Sequence, residues 1–319
     1  MKRFISRGSG RGGLAPLAAC KFLLATLLAA ASLSCAGAEP IGLITILDGS
    51  VFIYRGSGRA VAAEGVRVAS GDIFDVGEGG FLRVELSDRT DLQLGPRSGA
   101  LLGATGARAK PERAIYLLRG WAKLSSNLRD PAAPGWAVQT PLIEVLPSRG
   151  IAVLHVTADE ALAFSQLGEL RVLDAHAAPG SAVAVKEGDL FRRRSGGWKG
   201  GIDPAAMQDF VGGIPRPFRD SLPALADRFA GRGDKAPAPA PDFAYGDVEG
   251  WLNAEAPVRR QFVQRWRTRA DNAAFRASLV ANMGSHPEWD PVLFPEKYRR
   301  TDADSDAIDA LLRRSQTPK

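Results

Sequence analysis

The chain has 319 residues, of which 45% are hydrophobic and 24% are charged, and these values are typical of a folded globular protein with one or two domains. Residues 1–38 carry five basic side chains and no acidic one, so the net charge of +6 belongs mainly to them, and 36 basic and 35 acidic residues follow. This composition excludes wholesale disorder, and the nearly neutral remainder argues against nucleic-acid binding. The 35 glycines and 21 prolines favour short strands and turns over a helical bundle.

The first 38 residues have the pattern of a secretory signal peptide. Basic residues precede an apolar, alanine-rich stretch at 22–33, which is shorter than the roughly 20 strongly apolar residues of a membrane span. Ala36-Gly37-Ala38 supplies the small residues of a cleavage site, so we expect cleavage after Ala38, a periplasmic or secreted location and no stable membrane span afterwards. An uncleaved anchor is the alternative. Both cysteines, Cys20 and Cys35, lie in this leader, so a chain beginning at Glu39 has no disulfide, thiol nucleophile or cysteine metal site.

Short alternating segments separated by turns extend from residue 41 to about residue 194. The segment 42–47 leads into Asp48-Gly49, a dipeptide typical of tight hairpins because both central residues need a positive φ, and the segment 51–54 is predicted to return. Further strands are predicted at 92–94, 115–118, 136–139, 143–146, 151–156, 162–164, 170–173 and 183–185. The pattern predicts a mainly β fold over residues 39–200, built as an antiparallel sandwich or jelly roll.

The segment 82–86 shows the alternation most clearly. Leu82, Val84 and Leu86 alternate with Arg83 and Glu85. Because successive side chains of a strand point to opposite faces, we expect the aliphatic residues in a core and the charged residues in solvent.

The pattern changes beyond residue 200. Residues 201–246 are rich in proline and glycine and predict a linker, with the Pro-Ala repeat at 235–241 as an extended, semi-rigid spacer. Residues 247–300 predict a small α-helical module, in which Asp271-Asn272 ends one helix and caps the next, and residues 301–319 predict a polar tail. The apolar residues that recur at helical spacing are Val258, Phe262, Trp266 and Ala270, followed by Phe275, Leu279 and Met283.

Motifs between residues 41 and 194 have an order and spacing typical of one protein family. The first half contains Gly49-Ser50-Val51, Gly71-Asp72-Ile73, Gly77-Glu78-Gly79-Gly80 and the segments 82–88 and 92–98. The second half contains Leu118-Arg119-Gly120-Trp121, Val138-Gln139-Thr140-Pro141, Gly150-Ile151, Gly168-Glu169-Leu170 and Lys186-Glu187-Gly188-Asp189. With these motifs the chain resembles the FecR domain, known from the periplasmic part of iron-dicitrate-type regulators and from secreted envelope proteins. The resemblance implies a β-rich, jelly-roll-like sandwich.

Two features differ from the classical regulators of that family. Arg89 stands where the family usually has the glycine of an Asp-Gly turn, a change that a turn can absorb. The regulators also carry a long cytoplasmic segment that meets a sigma factor, whereas only Met1 to Lys21 precede the apolar stretch here. We therefore expect a secreted FecR-like protein without the sigma-regulator N-terminal region.

The sequence assigns no catalytic, cofactor-binding or metal-binding residue. The motifs G-x-S-x-G, S-x-x-K and H-E-x-x-H are absent after the leader, and no pair among His155, His176 and His286 has the spacing of metal ligands. We expect His155 to be a hydrogen-bonded residue at the margin of a core. The aspartates at 302, 304, 306 and 309 imitate the opening of a calcium loop, but Ala307 and Arg313 occupy its required glycine and glutamate positions.

Three other groups of residues have a functional and a structural interpretation. Asp72 and Asp75 could form the acid pair of a glycosidase, but their place among glycines at strand ends favours turn formation. Trp121, Trp136 and Trp198 are expected in a core or on a sheet face, although an exposed pair would form a sugar-stacking platform. An arginine-rich stretch could bind anionic lipid or a polyanionic glycan, but we favour packing of its apolar stripe on the β domain or on another chain; its arginines are Arg259, Arg260, Arg265, Arg267, Arg269 and Arg276.

The sequence thus predicts a non-enzymatic, periplasmic or secreted FecR-like protein that acts as a binding or scaffold module in the cell envelope. Its sheet surface is expected to bind an envelope protein or a glycan, of an identity that the sequence does not define. If the leader is an uncleaved anchor, the chain is instead a membrane-retained FecR-type signalling component. A glycan-binding or peptidoglycan-binding jelly-roll protein is the other alternative, and it requires a groove with exposed tryptophans.

Overall fold

Short strands dominate the first two thirds of the protein. The computed structural model describes residues 39–103, 113–126, 135–175, 181–196 and 199–298. Eighteen strands run through these residues, and they are β1 (Pro40–Asp48), β2 (Val51–Arg55), β3 (Gly58–Val61), β4 (Arg67–Ala69), β5 (Ile73–Val76), β6 (Phe81–Leu86), β7 (Asp91–Leu94), β8 (Gly99–Leu102), β9 (Ala114–Ser125), β10 (Ala137–Gln139), β11 (Ile143–Val145), β12 (Gly150–Val156), β13 (Glu160–Gly168), β14 (Leu170–Asp174), β15 (Val183–Val185), β16 (Leu190–Arg194), β17 (Gly201–Ile202) and β18 (Ala238–Pro239).

The strands form two sheets that share β9. Sheet A has the order β4, β1, β6, β7, β9, β12, β13, β16 and β17. Sheet B has the order β18, β3, β2, β5, β8, β9, β10, β11, β14 and β15. All of these pairs are antiparallel except β9 with β10. Inward-facing side chains of both sheets share one hydrophobic core, so the prediction of a mainly β, antiparallel fold followed by short helices is confirmed.

Strand β9 passes from one sheet to the other at Gly120. Residues 114–119 pair with β8, whereas residues 120–125 pair with β12. Gly120 has a φ of 88°, and a Cβ atom there would lie 2.4 Å from the Cα of Ser98. Only glycine fits this conformation and this close approach, so the residue fixes the bend that joins the two sheets.

The turn at Asp48-Gly49 differs from its prediction. Gly49 has the expected positive φ, at 67°, but β1 pairs with β4 and β6 in sheet A whereas β2 pairs with β3 and β5 in sheet B. The prediction of a hairpin is therefore wrong. The same positive-φ glycine that suits a hairpin also suits a corner between two sheets, and local sequence does not distinguish these outcomes.

Five α-helices follow the strands within the described residues. They are α1 (Met207–Gly213), α2 (Tyr245–Leu252), α3 (Ala256–Arg265), α4 (Ala273–Ala281) and α5 (Asp290–Leu293). Short 3-10 turns lie at Pro204–Ala206, Arg216–Arg219, Ala226–Phe229, Arg267–Asp271, Met283–Ser285, Pro287–Trp289 and Pro295–Tyr298. The predicted cap is confirmed, because the side chain of Asn272 accepts a hydrogen bond from the backbone N–H of Phe275 at 3.0 Å. In the part of the chain that the structure describes, no helix combines the length and apolarity needed to cross a bilayer.

The C-terminal helices cover the outer face of sheet B. Their apolar stripe is buried as the spacing predicts, since Val258, Phe262, Trp266 and Leu279 are each at most 1% exposed. These residues share a hydrophobic cluster with outward-facing residues of sheet B, namely Tyr54, Ile73, Leu101, Ala114 and Tyr116. The helices therefore pack on the β sandwich rather than forming a separate module.

The proline-rich region packs on the sandwich as well. Phe210 of α1 and Phe218 are buried against the outer face of sheet A, together with Phe81, Val153, Leu162 and Leu190. Further on, Ala238 and Pro239 pair with β3, so the Pro-Ala repeat is extended as predicted but is bound to the edge of sheet B. Its composition does not predict this contact, because proline content determines the stiffness of a segment and not its contacts.

These contacts correct two further expectations. Arg83 and Glu85 point away from the core, as their alternation predicts, but they are only 1% and 8% exposed because residues 214–226 lie over them. The described helices also cover part of the outer face of sheet B, and the proline-rich region covers part of the outer face of sheet A. An envelope partner therefore cannot reach these covered areas while the covering segments are in place.

Candidate functional site

A cleft of about 620 Å³ opens at one edge of sheet A. One wall is formed by β1, β4 and the turn between β6 and β7, and the other by residues 226–235, which follow the proline-rich region. Because the second wall comes from residues that follow all but the last strand, the cleft exists only when the region beyond residue 200 is packed on the sandwich.

Cationic side chains outnumber carboxylates in the lining of this cleft. The lining contains Arg67, Arg89, Arg232 and Lys235 together with only two acids, Glu64 and Glu85. Both carboxylate oxygens of Glu85 already accept hydrogen bonds from the backbone N–H groups of Leu225 and Ala226, at 2.7 and 3.0 Å. Glu64 accepts a hydrogen bond from the backbone N–H of Leu47 at 3.3 Å. The cleft is therefore suited to a negatively charged ligand.

Three of the four cations have partners nearby. Arg67 forms an ion pair with Asp234 in which both side chains are largely exposed, so this pair is weak and open to exchange. Lys235 donates a hydrogen bond to the carbonyl oxygen of Glu64 at 2.9 Å. Arg232 lies over the ring of Phe229, with 5.5 Å from its guanidinium carbon to the ring centroid.

Arg89 is the most unusual residue of the cleft. It is exposed, its guanidinium contacts no described carboxylate, and its φ is 65°. The turn that holds it is fixed by the backbone N–H of Arg89, which donates to the carbonyl oxygen of Leu86 at 2.8 Å, and by Asp88, which accepts from the backbone N–H of Thr90 at 3.0 Å. Glycine adopts this conformation more readily than arginine, and Arg97, which lies outside the cleft lining, shares it with a φ of 57°.

A second cavity, of about 370 Å³, lies on the outer face of sheet A beside α1. Trp121 and His155 stack in it with ring centroids 4.0 Å apart, and the ring of Phe210 lies 5.3 Å from that of Trp121. Burial lowers the pKa of His155, with a smaller opposing effect from Glu160, so the imidazole is neutral at neutral pH. Trp121 lies on a sheet face, as predicted, and because His155 covers one side of its ring, the alternative of an open tryptophan platform is not formed there.

Two of the three charged residues that line this second cavity, Arg192 and Glu160, are already paired with each other, and the third is the exposed Asp209. Arg192 binds Glu160 at 2.6 Å and Asp203 at 3.2 Å. The acid pair Asp72 and Asp75 is likewise engaged elsewhere, since Asp72 binds Arg55 at 2.6 Å and Asp75 binds Arg119 at 2.7 Å. Asp72 also accepts a hydrogen bond from the backbone N–H of Ala69 at 2.8 Å, which agrees with its predicted role in a turn.

The remaining predicted residues are structural or lie outside the described part. Trp136 is 3% exposed, and its indole N–H donates to Asp88 at 2.9 Å. His286 is fully buried, where desolvation lowers its pKa, and its Nδ1 lies 3.3 Å from Oδ1 of Asn253. The leader, His176, Trp198 and the aspartates beyond residue 300 are outside the described residues.

The arginine-rich stretch mainly fastens the helices to sheet B. Arg265 donates to the carbonyl oxygens of Gly56, Gly71 and Tyr54 at 2.8, 2.6 and 2.7 Å. Arg269 donates to the carbonyl oxygen of Ser57, and Arg259 binds Glu288 at 2.9 Å. The interpretation in which this stretch packs on the β domain is confirmed for Arg265 and Arg269, whereas Arg259 pairs within the C-terminal helical region.

Sequence reasoning missed the cleft and the buried charges next to it. Its cationic residues come from positions 67 to 235, so no local motif unites them. The one sequence signal was Arg89 in the place of a turn glycine. Among the residues that the structure describes, no group of three or more histidine, cysteine, aspartate or glutamate side chains is placed to hold a metal ion.

Comparison with known proteins gives a limited result. The sequence matches no protein-family model and no curated protein. Two crystal structures, at 2.50 and 1.65 Å resolution, of a "putative anti-sigma factor" from Parabacteroides distasonis are similar to this chain with a TM-score of 0.35 and 15% identity. In each case the similarity covers 44% of this chain and 62% of the other chain, less than two thirds of its length.

Proposed function

We propose that this protein is a non-enzymatic, FecR-like binding module of the cell envelope, and that its cleft binds an acidic segment of an envelope protein. The observation that carries the proposal is the excess of cations in the cleft, where four basic side chains line about 620 Å³ with two acids, one of which is satisfied by backbone N–H groups. An acidic segment supplies the missing negative charge, and the exposed Arg89 and Arg232 are placed to receive it.

The envelope part of the proposal is supported by the sequence of the first 38 residues and by the resemblance to FecR domains. It is tested by measuring the intact mass of the native protein in fractionated cells. A species that begins at Glu39 in the periplasmic or external fraction is expected. Full-length protein held in the inner membrane would contradict it and favour the membrane-retained signalling component.

The binding part is tested with a fluorescently labelled peptide rich in aspartate and glutamate, titrated against the protein at low and at physiological salt. We expect the double variant Arg89→Ser with Arg232→Gln to weaken binding about tenfold, because two partly screened charge pairs contribute about 0.2–1 kcal/mol each. The matched control is Arg260→Gln, which removes an arginine that is 69% exposed on α3 and outside the cleft lining.

The alternatives predict different results in the same titration. Equal losses for the cleft variant and the control, or binding that salt does not weaken, would refute the cleft as the site. Competition by an anionic polysaccharide at a lower concentration than by the peptide would favour the glycan-binding alternative.

A further inference from the structure

Five polar side chains form a continuous patch on the outer face of sheet A, which we call the polar ladder. They come from the adjacent strands β6, β7 and β9, and the register places Arg83 opposite Gln93, Gln93 opposite Lys123, and Glu85 opposite Asp91. Four of them are at most 8% exposed. Arg83 also binds Asp91 at 2.6 Å and lies 3.5 Å from Glu85. A sheet face that serves only for packing is normally apolar, so this patch calls for an explanation.

The ladder is covered by residues 214–226, which we call the strap. Arg83 donates to the carbonyl oxygen of Pro223 at 2.6 Å, and Lys123 donates to that of Phe218 at 2.5 Å. Glu85 accepts from the backbone N–H groups of Leu225 and Ala226. Each of these bonds reaches the main chain of the strap, in which Phe218 is buried while Ile214 and Leu222 are partly buried against the same hydrophobic cluster.

Phe218 is the anchor of the strap. It is 1% exposed, and its ring meets that of Phe81 edge-on at 6.2 Å between centroids. Main-chain hydrogen bonds combined with one buried anchor side chain are the usual means by which a protein surface recognises an extended peptide.

The composition of the polar ladder is not the one expected if its only role were to hold the strap in place. Lys123 is 5% exposed and forms no ion pair with a described carboxylate, and desolvation lowers its pKa against smaller opposing effects of Asp220, in the strap, and Asp91. Nε of Arg83 and Oε1 of Gln93 are buried without a hydrogen-bond partner among the described residues. Apolar side chains of similar volume would cover the same area without leaving buried charge and unused hydrogen-bonding groups.

Glycines flank the strap on both sides. Gly212 and Gly213 precede it and Gly231 and Gly233 follow it, and a Cβ atom at 212, 231 or 233 would touch nothing within 4 Å. Within the strap, Pro215, Pro217 and Pro223 restrict the free segment to extended conformations, which reduces the entropy lost when it binds.

We propose that the polar ladder is a binding site for an extended, proline-containing peptide with an aromatic anchor, and that the strap occupies this site in the same chain until such a segment of a partner protein replaces it. The proposal concerns a second site and does not depend on the ligand of the cleft. The two are adjacent, because Glu85 belongs to the ladder and also lines the cleft.

The test uses a fluorescein-labelled synthetic peptide with the sequence of residues 214–226. In the wild-type protein the strap competes at high effective concentration, so the peptide should bind weakly. Phe218→Ala removes the anchor of the strap, and we expect the peptide to bind this variant at least about tenfold more tightly than the wild type. The same peptide with alanine at the anchor position, and the protein variant that adds Lys123→Met to Phe218→Ala, should both lose that gain.

A Phe218→Ala protein that keeps its fold but binds the peptide no better than the wild type would overturn the proposal. If this variant does not fold, hydrogen exchange of the wild type decides. The amides of Leu225 and Ala226 should exchange at least about 100-fold faster than those of β6 and β7, because the strap opens without global unfolding. Exchange at the same rate as the core strands would show a fixed structural element and refute the proposal.

Discussion

At residue 89 the backbone has a φ of 65°, in the left-handed region where a Cβ atom is disfavoured. Glycine adopts this conformation freely, and a side chain there costs about 1–2 kcal/mol. The arginine is exposed on the cleft wall and has no described contact that recovers this cost. Conformational strain of this kind persists where a side chain is used for binding.

We therefore expect Arg89→Gly to raise the free energy of unfolding by about 1 kcal/mol while it weakens binding of an acidic peptide. Urea denaturation checks the first effect and the peptide titration checks the second. Arg89→Lys is the matched control, because it keeps the Cβ atom and the charge and should leave both quantities nearly unchanged. A glycine variant that is less stable than the wild type would show that the arginine side chain supports the turn.

At the scale of elements, α3 is held on sheet B by a charged clamp as well as by its apolar face. Arg265 satisfies three backbone carbonyl oxygens at the turns that follow β2 and precede β5. Burial lowers the pKa of Arg265 to about 10, so the side chain remains charged at neutral pH. Its removal would leave these carbonyl groups without their donor.

Arg265→Ala is expected to lower the free energy of unfolding by about 2–3 kcal/mol, since hydrogen bonds from a charged donor are strong and three acceptors lose their partner. Arg260→Ala on the same helix is the control, because Arg260 is 69% exposed and only 3.7 Å from Glu288, and we expect a change within about 0.5 kcal/mol. Chemical denaturation of both variants measures the difference. Equal effects would mean that helix propensity, and not the clamp, determines the result.

The elements also show which parts of the fold local sequence predicts. The stripe from Val258 to Ala270 and the cap at Asn272 follow rules that span about four residues, and both are found in the structure. The contact between Arg83 and Pro223 joins residues 140 positions apart. The alternation at 82–86 predicts which face of the sheet each side chain points to, but it does not predict which segment of the chain covers that face. The cationic cleft is missed for the same reason, since its walls come from both ends of the described chain.

At the scale of the whole molecule, both outer sheet faces are covered by segments that follow residue 200. The helices bury Tyr54, Ile73, Leu101 and Tyr116, and α1 with the strap buries Phe81 and Val153. The described residues between Glu39 and Tyr298 form one compact unit, although the composition changes sharply after the strands. The change in composition therefore separates the strands that form the sandwich from the segments that pack on its outer faces. It does not mark a boundary between independent domains.

Truncation after Asp242 tests this view. It removes α2 to α5 but keeps β18, and it exposes the apolar residues of sheet B, each of which contributes about 1.5–3 kcal/mol when fully buried. We expect a protein that binds the dye ANS, aggregates and loses its cooperative thermal transition. Truncation after Tyr298, which removes only residues 299–319, is the matched control and should leave the transition nearly unchanged. If the shorter protein stays monomeric with a sharp transition, the β sandwich folds alone, and the helices are an independent module that docks on a finished surface.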